Sequence, residues 1–533
     1  MWQGYYIAIT LSFFVLEHLS AKCYNKRLMK LKINLQTLNR LTIIYAALPL
    51  LIFLFGWLKP YIAIISCCLL IYAVYAGYFK NFKYSNLLDN RKIFWLMIAA
   101  AFLWCWLAGL GGFWYQSDDH HYRNAIFRDL INYVWPVYYK TADASMVYYI
   151  GYWLPSALLA KIFANYSDYF SFFIGNIFLL LYSIFGVFLV FCHLIKAVKA
   201  KSFYKILTAL IIFIFFSGMD AVGASYPVFY DASRTFKTLH LEWWSCFVGQ
   251  YSSMTTVLFW VFNQGIPAWL MTVMFYNNRK DIKNFGLAAI LCFFLAPMPF
   301  VGLSVFMFAY VIRNFFLEYK RKNISLYFRK IFSVQNIFSV FFITPIIFLY
   351  FTSNGSVQGT ENISGIPNIY LKFYIIMFVW FFLLEAGINL LFIYGQYKAT
   401  VLYYVCFAVL LICPLIKIGG GADFCMRGSI PALVLLCIMI TKFLFRKYNC
   451  KYRKVCYSFL ILCLFLGSVT PAIEFIRGIK DVVEHKEIFR TADYIKTLEG
   501  KVGYDENGNL MNANFATDFT DKNFFKYLAK PKE

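Results

Sequence analysis

Charged residues are scarce in this chain of 533 residues. Only 14% are Asp, Glu, Lys or Arg, and 61% are hydrophobic, whereas a soluble domain carries about 25% charged residues. Such a chain could not cover itself with polar surface in water, which excludes a soluble globular protein. Acidic residues are scarcer than basic ones, with 26 Asp and Glu against 50 Lys and Arg, so the net charge is +24.

Several catalytic motifs are also missing. The sequence contains no Walker A loop, GxSxG elbow, HExxH helix or GxGxxG motif followed by an acidic residue where its mechanism would need it. No C-x-x-C pair or Cys/His metal spacing occurs. Most of the 14 Cys fall inside apolar runs and behave there as small apolar residues. Cys246 and Cys425, both in predicted outer loops, could form a disulfide.

Long apolar runs dominate what is present. The run 285–312 is broken by Pro297-Met298-Pro299 and predicts two short spans, because proline ends a helix. Together with the twelve other runs it predicts about fourteen membrane-spanning helices in an all-α polytopic membrane protein. The other runs are 1–20, 41–58, 61–79, 93–112, 169–195, 206–220, 254–276, 331–351, 369–395, 399–417, 428–441 and 455–473.

The basic residues orient these spans. Seven alternate connections carry 30 of the 50 Lys and Arg and only three acidic residues. Basic loops mark the cytoplasmic side, so the pattern predicts a multi-pass protein of the plasma (inner) membrane with both termini extracytoplasmic. The positive charge is then a topology signal, and no nucleic acid is expected as a partner. The seven loops are 21–40, 80–92, 196–205, 277–284, 313–330, 396–398 and 442–454.

One apolar segment, 146–164, does not fit as a span, since counting it would place the later basic loops outside. We interpret it as an interfacial or re-entrant helix, with Tyr148, Tyr149, Tyr152 and Trp153 at the headgroup level.

The spans divide the chain into three parts. These are an N-terminal three-span segment (1–92), a transmembrane core (93–473) and a short extracytoplasmic tail (474–533). The long outer loops of the core are 113–168, 221–253, 352–368 and 418–427.

The first long outer loop opens with the richest polar cluster. Its charged and imidazole side chains are Asp118, Asp119, His120, His121, Arg123 and Arg128. One interpretation is a capped helix start with an Asp119–Arg123 pair at i,i+4. The other is catalytic: Asp118 or Asp119 is a general base beside His121, and the arginines hold a phosphate. The two carboxylates with His120 could also hold a divalent cation, Mg or Mn.

The second outer loop and the span after it carry the next candidates for substrate binding: His240, Glu242, Trp243, Gln250, Asn263 and Gln264. Aromatic rings with carboxamides and a carboxylate suit a sugar. The alternative is an interfacial aromatic belt. Asn263 and Gln264 lie within an apolar run, where polar side chains are costly and usually functional.

The third candidate follows Gly419-Gly420-Gly421 in the loop 418–427. Asp423 and Arg427 either form a pair that closes this loop or clamp a pyrophosphate. A fourth group, Glu385, lies inside the eleventh span, where it could pair with an arginine or relay protons.

This order of elements resembles the GT-C superfamily of membrane glycosyltransferases, over roughly 93–445. The resemblance rests on the span 93–112, the acidic Asp118-Asp119 pair after it and the flat segment 146–164. It departs from the family in having three spans before the one that precedes the acidic loop.

The resemblance implies that Asp118 or Asp119 is the base or a metal ligand. It also implies a lipid-phosphate-linked sugar donor that enters from the membrane lipids, and a glycan or lipid-linked acceptor on the outer face, as in cell-surface polysaccharide assembly.

Three other activities remain compatible with the sequence. A flippase or transporter of lipid-linked oligosaccharide would also have many spans, but generally shows two similar halves, and no half repeat is visible here. An O-antigen or capsule polymerase shares the outer-face chemistry. An outer-face acyl or phosphoryl transferase would also use His and Asp.

Overall fold

The computed structural model is mostly helical. It describes residues 31–82, 85–164, 166–225, 239–358, 368–418, 422–446, 451–486, 494–505 and 510–532. The first predicted span, 1–20, and the glycines 419–421 lie outside these ranges.

The helices of the described ranges are numbered in chain order. They are α1 Leu35–Trp57, α2 Pro60–Val74, α3 Arg91–Leu107, α4 His120–Asn132, α5 Leu154–Lys161, α6 Asp168–Val198, α7 Phe203–Ile214, α8 Asp220–Ser225, α9 Met254–Asn278, α10 Phe285–Leu295, α11 Pro297–Lys320, α12 Ile324–Ile331, α13 Val334–Ile337, α14 Thr344–Thr352, α15 Asn368–Phe382, α16 Ile388–Tyr397, α17 Val401–Ile412, α18 Asp423–Gly428, α19 Ile430–Leu444, α20 Lys451–Gly467 and α21 Val469–His485.

Short π-helical turns continue α2 and join α13 to α14 and α15 to α16; they are Tyr75–Phe79, Phe338–Ile343 and Leu383–Gly387. The described ranges also contain five short strands: β1 Tyr138–Tyr139, β2 Ala144–Met146, β3 Gly503–Tyr504, β4 Leu510–Met511 and β5 Ala516–Asp518.

Eight helices of the described ranges are long and apolar enough to cross a membrane: 35–57, 60–79, 168–198, 254–278, 297–320, 334–352, 373–397 and 452–485. Four shorter apolar helices, of 10–17 residues, fall at other predicted spans. The chain is therefore a helical membrane protein, while the count of fourteen spans stays a prediction.

Local sequence signals explain where several helices begin. The side chains of Asn34, Asn90 and Ser253 each accept a backbone N–H of the first turn, at 2.9–3.2 Å. The predicted break in the run 285–312 is confirmed, because α10 ends at Leu295 and α11 begins at Pro297. Proline fits the first turn of a helix, where its missing N–H has no partner to lose.

The helix α9 forms the centre of the bundle. It is buried along almost its whole length and packs against α6 and α19. Trp269 of α9 stacks on Trp104 of α3 with ring centroids 5.3 Å apart. A kink at Val261 interrupts the regular backbone of this helix near its first turns.

Connections that alternate along the sequence gather at opposite ends of the bundle. At one end the guanidinium of Arg40 donates to the carbonyl of Asn81 at 3.2 Å, and Asn39 bonds Asn278 at 2.9 Å. These residues belong to connections that the charge pattern assigns to the cytoplasm.

At the other end the tail packs on the first long outer loop. β2 pairs antiparallel with both β1 and β5, and the second sheet pairs β3 with β4. Ala529 bridges to Leu58, at the end of α1. The polar tail therefore lies against the loop that carries the first candidate cluster.

The segment 146–164 contains a 3-10 turn and the eight-residue helix α5, which is too short to cross a bilayer. Its expected aromatic contacts with headgroups are wrong for Tyr152 and Trp153, which are fully buried in the protein. Both rings pack against Phe262 of α9. Cys246 and Cys425 are free, so the suggested disulfide is absent.

Candidate functional site

The helix α4 presents the first candidate pair. Arg123 donates to the carboxylate of Asp119 at 2.8 Å, one helical turn away. The Arg123 side chain is buried, whereas that of Asp119 is 49% exposed. The Nη1 atom of Arg123 is also buried and has no hydrogen-bond partner among the described residues. The guanidinium thus has an unused donor beside a carboxylate that can move into solvent.

The short helix α18 presents a second pair of the same kind. Arg427 is buried and donates to Asp423 at 3.0 Å, and the Asp423 side chain is 39% exposed. The Nη1 atom of Arg427 also contacts the sulfur of Met298 at 3.6 Å.

Two glycines allow this approach of α11 to α18, since a Cβ on Gly302 would lie 2.0 Å from the carbonyl oxygen of Gly428. Only a residue without a side chain fits there.

The charges of the first pair act on Tyr148, and those of the second pair act on both Tyr148 and Tyr149. The buried phenol of Tyr148 lies within electrostatic reach of both pairs, which are Asp119, Arg123, Asp423 and Arg427. The charge of Asp119 also acts on Arg427 directly. Burial raises the pKa of Tyr148, so its phenol stays neutral. We call these six residues the arginine cluster.

The chemistry that the arginine cluster allows follows from its charges. Each guanidinium presents several donors in a fixed plane and binds carboxylate or phosphate oxygens through paired hydrogen bonds. A phosphate could replace the half-exposed aspartates while the buried arginines stay in place.

The second outer loop forms a separate cluster with the helix α21. The ring of His240 stacks on Trp243 with centroids 3.9 Å apart and meets the edge of Trp260 at 5.6 Å. The indole N–H of Trp260 donates to Glu474 at 3.2 Å. Arg477 pairs with Glu474 at 2.9 Å and donates to the carbonyl of Leu239. We call His240, Trp243, Trp260, Glu474 and Arg477 the aromatic cluster.

Asp118 is linked to the aromatic cluster through the phenol of Tyr115. Burial raises the pKa of Tyr115 to about 12, and the charges that act on this phenol include Arg477, Glu474 and Asp118. Burial, together with the positive charge of Arg477, lowers the pKa of His240 to about 4. His240 is therefore neutral at pH 7. The adjacent Asp118 and Asp119 thus act on different clusters.

Glu242 and Gln250 are hydrogen-bonded to each other. They belong to a third group of residues, which contains the buried acid Asp220. The buried carboxylate of Glu242 accepts from Gln250 at 2.8 Å and from the backbone N–H of Ser253 at 2.9 Å. Burial, together with the negative charge of Asp220, raises its pKa to about 8.

Asp220 and Glu385 share one indole. The N–H of Trp244 lies 3.3 Å from a carboxylate oxygen of each. Asp220 also accepts from Ser217 and Thr470, both at 2.9 Å. The other oxygen of Glu385 has no hydrogen-bond partner within the described ranges. We call Asp220, Glu242 and Glu385 the carboxylate cluster.

The remaining predicted residues lie apart from the arginine cluster. Arg128 is buried over the ring of Phe172, at 3.9 Å, and packs at the start of α6. Asn263 and Gln264 are buried in α9, and neither Asn263 Nδ2 nor Gln264 Oε1 has a hydrogen-bond partner in the part of the chain described.

The two histidines of the first cluster have different surroundings. His120 is buried, bonds Ser117 at 3.0 Å and lies against Phe262. Burial lowers its pKa to about 3. His121 accepts the backbone N–H of Tyr494 in the tail at 3.3 Å and lies against its ring.

The predicted cation site was tested against this arrangement. The described ranges contain no group of three or more His, Cys, Asp or Glu side chains that could hold a metal ion. His120 is buried, whereas Asp118 and Asp119 are exposed. The divalent cation stays a prediction.

Sequence reasoning did not identify Asp220, Glu474 or Arg477. A signal for the last two was present, since a Glu and an Arg three residues apart follow the last apolar run. No sequence signal marked Asp220, because its partner Glu385 lies far away in the sequence.

Comparisons with known proteins add no further identification. No family model, no curated protein and no solved structure matches this chain.

Proposed function

We propose that this chain is a membrane glycosyltransferase of the GT-C type. It moves a sugar from a lipid-phosphate-linked donor to a glycan or lipid-linked acceptor on the extracytoplasmic face, where both termini also lie. The observation that supports this most is the arginine cluster, in which two buried guanidiniums are each paired with a half-exposed carboxylate and act on the same phenol, that of Tyr148. It lies where spanning helices end, so a lipid tail can stay in the membrane while its phosphate reaches the arginines.

In the proposed reaction Arg123 and Arg427 bind the donor phosphate. The acceptor hydroxyl oxygen attacks the anomeric carbon of the sugar, and the bond from that carbon to the phosphate oxygen breaks. The lipid phosphate leaves with the electron pair, and the arginines stabilise its growing charge.

A carboxylate takes the proton of the acceptor hydroxyl. Asp118 suits this role better than Asp119, because Asp119 already bonds Arg123, whereas Asp118 is exposed and makes no ion pair with another described residue. The neighbouring His240 and Trp243 offer stacked rings for a sugar face.

The test replaces the native copy with Asp118→Asn or Asp119→Asn in the cell from which the sequence comes, and measures surface glycan assembly. We expect Asp118→Asn to lower assembly by about 10²–10⁴-fold, the usual contribution of a general base. Asp119→Asn should have a smaller effect. The amount of each protein in the membrane is the control, and full assembly in both variants would contradict the proposal.

The carboxylate cluster favours a second candidate, a proton-coupled flippase of lipid-linked oligosaccharide. Ionisable groups within membrane helices commonly mark proton pathways, and Glu385 lies inside the span 373–397. Such a flippase would lose transport on Glu385→Gln and keep it on Asp118→Asn. A polymerase would share the transferase chemistry and differ by making a long product.

A further inference from the structure

A groove lies at the end of the bundle opposite the arginine cluster. It has a volume of about 420 Å³ and is lined by one face of α11 and the first residue of α17: Ala309, Ile312, Arg313, Phe316, Leu317, Lys320 and Val401. This volume falls within the roughly 300–1,000 Å³ of ligand pockets. The wall is apolar apart from Arg313 and Lys320.

The apolar wall faces outward, where a membrane would lie. Phe316 is 56% exposed and Ile312 is 41% exposed. Both belong to the helix 297–320, which is long and apolar enough to span a membrane. A hydrocarbon chain would therefore cover this surface without displacing any contact inside the protein.

The two cations on the rim are available to a ligand. Arg313 and Lys320 lie seven residues apart, which places them about 10.5 Å apart along the same side of α11. Neither forms an ion pair with any residue that the structure describes. The nearby carboxylate, Glu318, is paired with Arg321 at 3.6 Å and with Lys330 at 3.8 Å.

The surroundings add positive charge at the same level. The connection 313–330 carries six Lys and Arg and one Glu. Its helix α12 packs back on α11 through Tyr327, whose hydroxyl donates to the carbonyl of Val311 at 3.4 Å. Leu326 and Phe328 of α12 are exposed beside Arg329 and Lys330. Basic and apolar side chains together suit an anionic membrane surface.

We propose that this groove binds one anionic phospholipid of the surrounding membrane. An acyl chain lies on Ile312, Phe316 and Val401, and the phosphate lies between Arg313 and Lys320. Charge complementarity selects this occupant. Its net negative charge matches Arg313 and Lys320, whereas the quaternary ammonium of a zwitterionic lipid offsets the charge of that lipid's own phosphate. The proposal does not depend on the glycosyltransferase function, because the groove and the arginine cluster lie at opposite ends.

The test uses the full-length protein in detergent, with phosphatidylglycerol or phosphatidylcholine added, and counts bound lipids by native mass spectrometry. We expect one tightly retained phosphatidylglycerol and no equivalent phosphatidylcholine. The double variant R313Q/K320Q should lower phosphatidylglycerol affinity by about 30-fold. The matched control R321Q/K322Q removes the same charge from the same connection outside the groove and should change the affinity less than about threefold.

A second variant keeps the rim intact and fills the groove. Ala309→Phe should also weaken phosphatidylglycerol binding, and it decides the result if R313Q/K320Q does not fold. Equal retention in wild type and the groove variants would overturn the proposal, as would an equal loss in R321Q/K322Q. Cross-linking of two copies through cysteines placed at Phe316 would also overturn it, because a second copy would then occupy the groove.

Discussion

The arginine cluster and the carboxylate cluster differ in how their charges are paired. In the first, Arg123 and Arg427 each have a carboxylate partner at 3.0 Å or less. In the second, the three buried acids accept from hydroxyl, indole and amide donors, and none of them forms an ion pair with another described residue.

This difference separates a site that can exchange ligands from one that holds the loops together. A guanidinium can exchange an exposed aspartate for a phosphate at little cost, because a charge partner is present before and after. A carboxylate without a cation is costly to bury as an anion. Asp220, Glu242 and Glu385 instead join α8, the second outer loop and the π-helical turn of the span 373–397 through shared donors.

Of the substitutions within these two clusters, the largest expected effect is on the arginine cluster. Arg427→Ala should lower sugar transfer by about 10²–10³-fold, since it removes a donor to the charge that develops on the leaving phosphate. Arg427→Lys should recover only part of this, because an ammonium cannot form the same paired bonds. Glycan assembly measures the effect, with Arg321→Ala at the opposite end as the control. Full activity of Arg427→Ala would remove the arginine cluster from the mechanism.

Two glycine substitutions compare the clusters directly. A Cβ on Gly302 would meet the carbonyl of Gly428 beside Arg427, and one on Gly218 would lie 1.8 Å from a carboxylate oxygen of Glu385. Overpacking of this kind costs about 1–3 kcal/mol. We expect Gly302→Ala to lower mainly the rate of sugar transfer, with a smaller change in the thermal midpoint of unfolding. Gly218→Ala should lower mainly the thermal midpoint and change the rate of transfer less.

Gly500→Ala is the control for both, because a Cβ there meets nothing within 4 Å. If Gly302→Ala and Gly218→Ala changed transfer and thermal midpoint in the same proportion, the division between a binding cluster and a structural cluster would be wrong.

The pH dependence of stability tests the carboxylate cluster through Glu242. Its pKa rises from 4.5 to about 8 on folding, so the folded state binds more protons than the unfolded state between these values. Stability should therefore fall as pH rises from 4.5 to 8, by at most about 1.4 kcal/mol per pH unit. Glu242→Gln should flatten this slope in thermal unfolding of the detergent-solubilised protein. An unchanged slope would show that Glu242 does not hold its proton in the folded protein.

The smallest expected effect is that of Glu385→Gln. One oxygen of this carboxylate has no hydrogen-bond partner within the described ranges, and an amide could donate from that position to Asp220. We expect stability to be unchanged or to rise by about 1 kcal/mol, with sugar transfer retained. Loss of lipid-linked oligosaccharide transport in this variant would instead favour the flippase.

Some of the site followed from sequence spacing. The Asp119–Arg123 and Asp423–Arg427 pairs were each one of two interpretations of the sequence, and both form, because residues four apart share one side of a helix. By the same spacing argument Asp118, His121 and Arg128 share one side of a helix, but they do not form a common site. Arg128 packs on Phe172 and His121 meets Tyr494, and spacing along one helix says nothing about which neighbour covers each side.

The sequence alone determined the membrane class and the break between α10 and α11, because both depend on local properties. Apolar run length and the proline after Leu295 act within a few residues of themselves. Only the tertiary structure decided which polar groups meet. Tyr148 lies within electrostatic reach of Arg123 and Arg427, which are far apart in the sequence. Asp220 and Glu385, also far apart in the sequence, share the indole N–H of Trp244. These contacts come from the packing of whole helices, which no local pattern encodes.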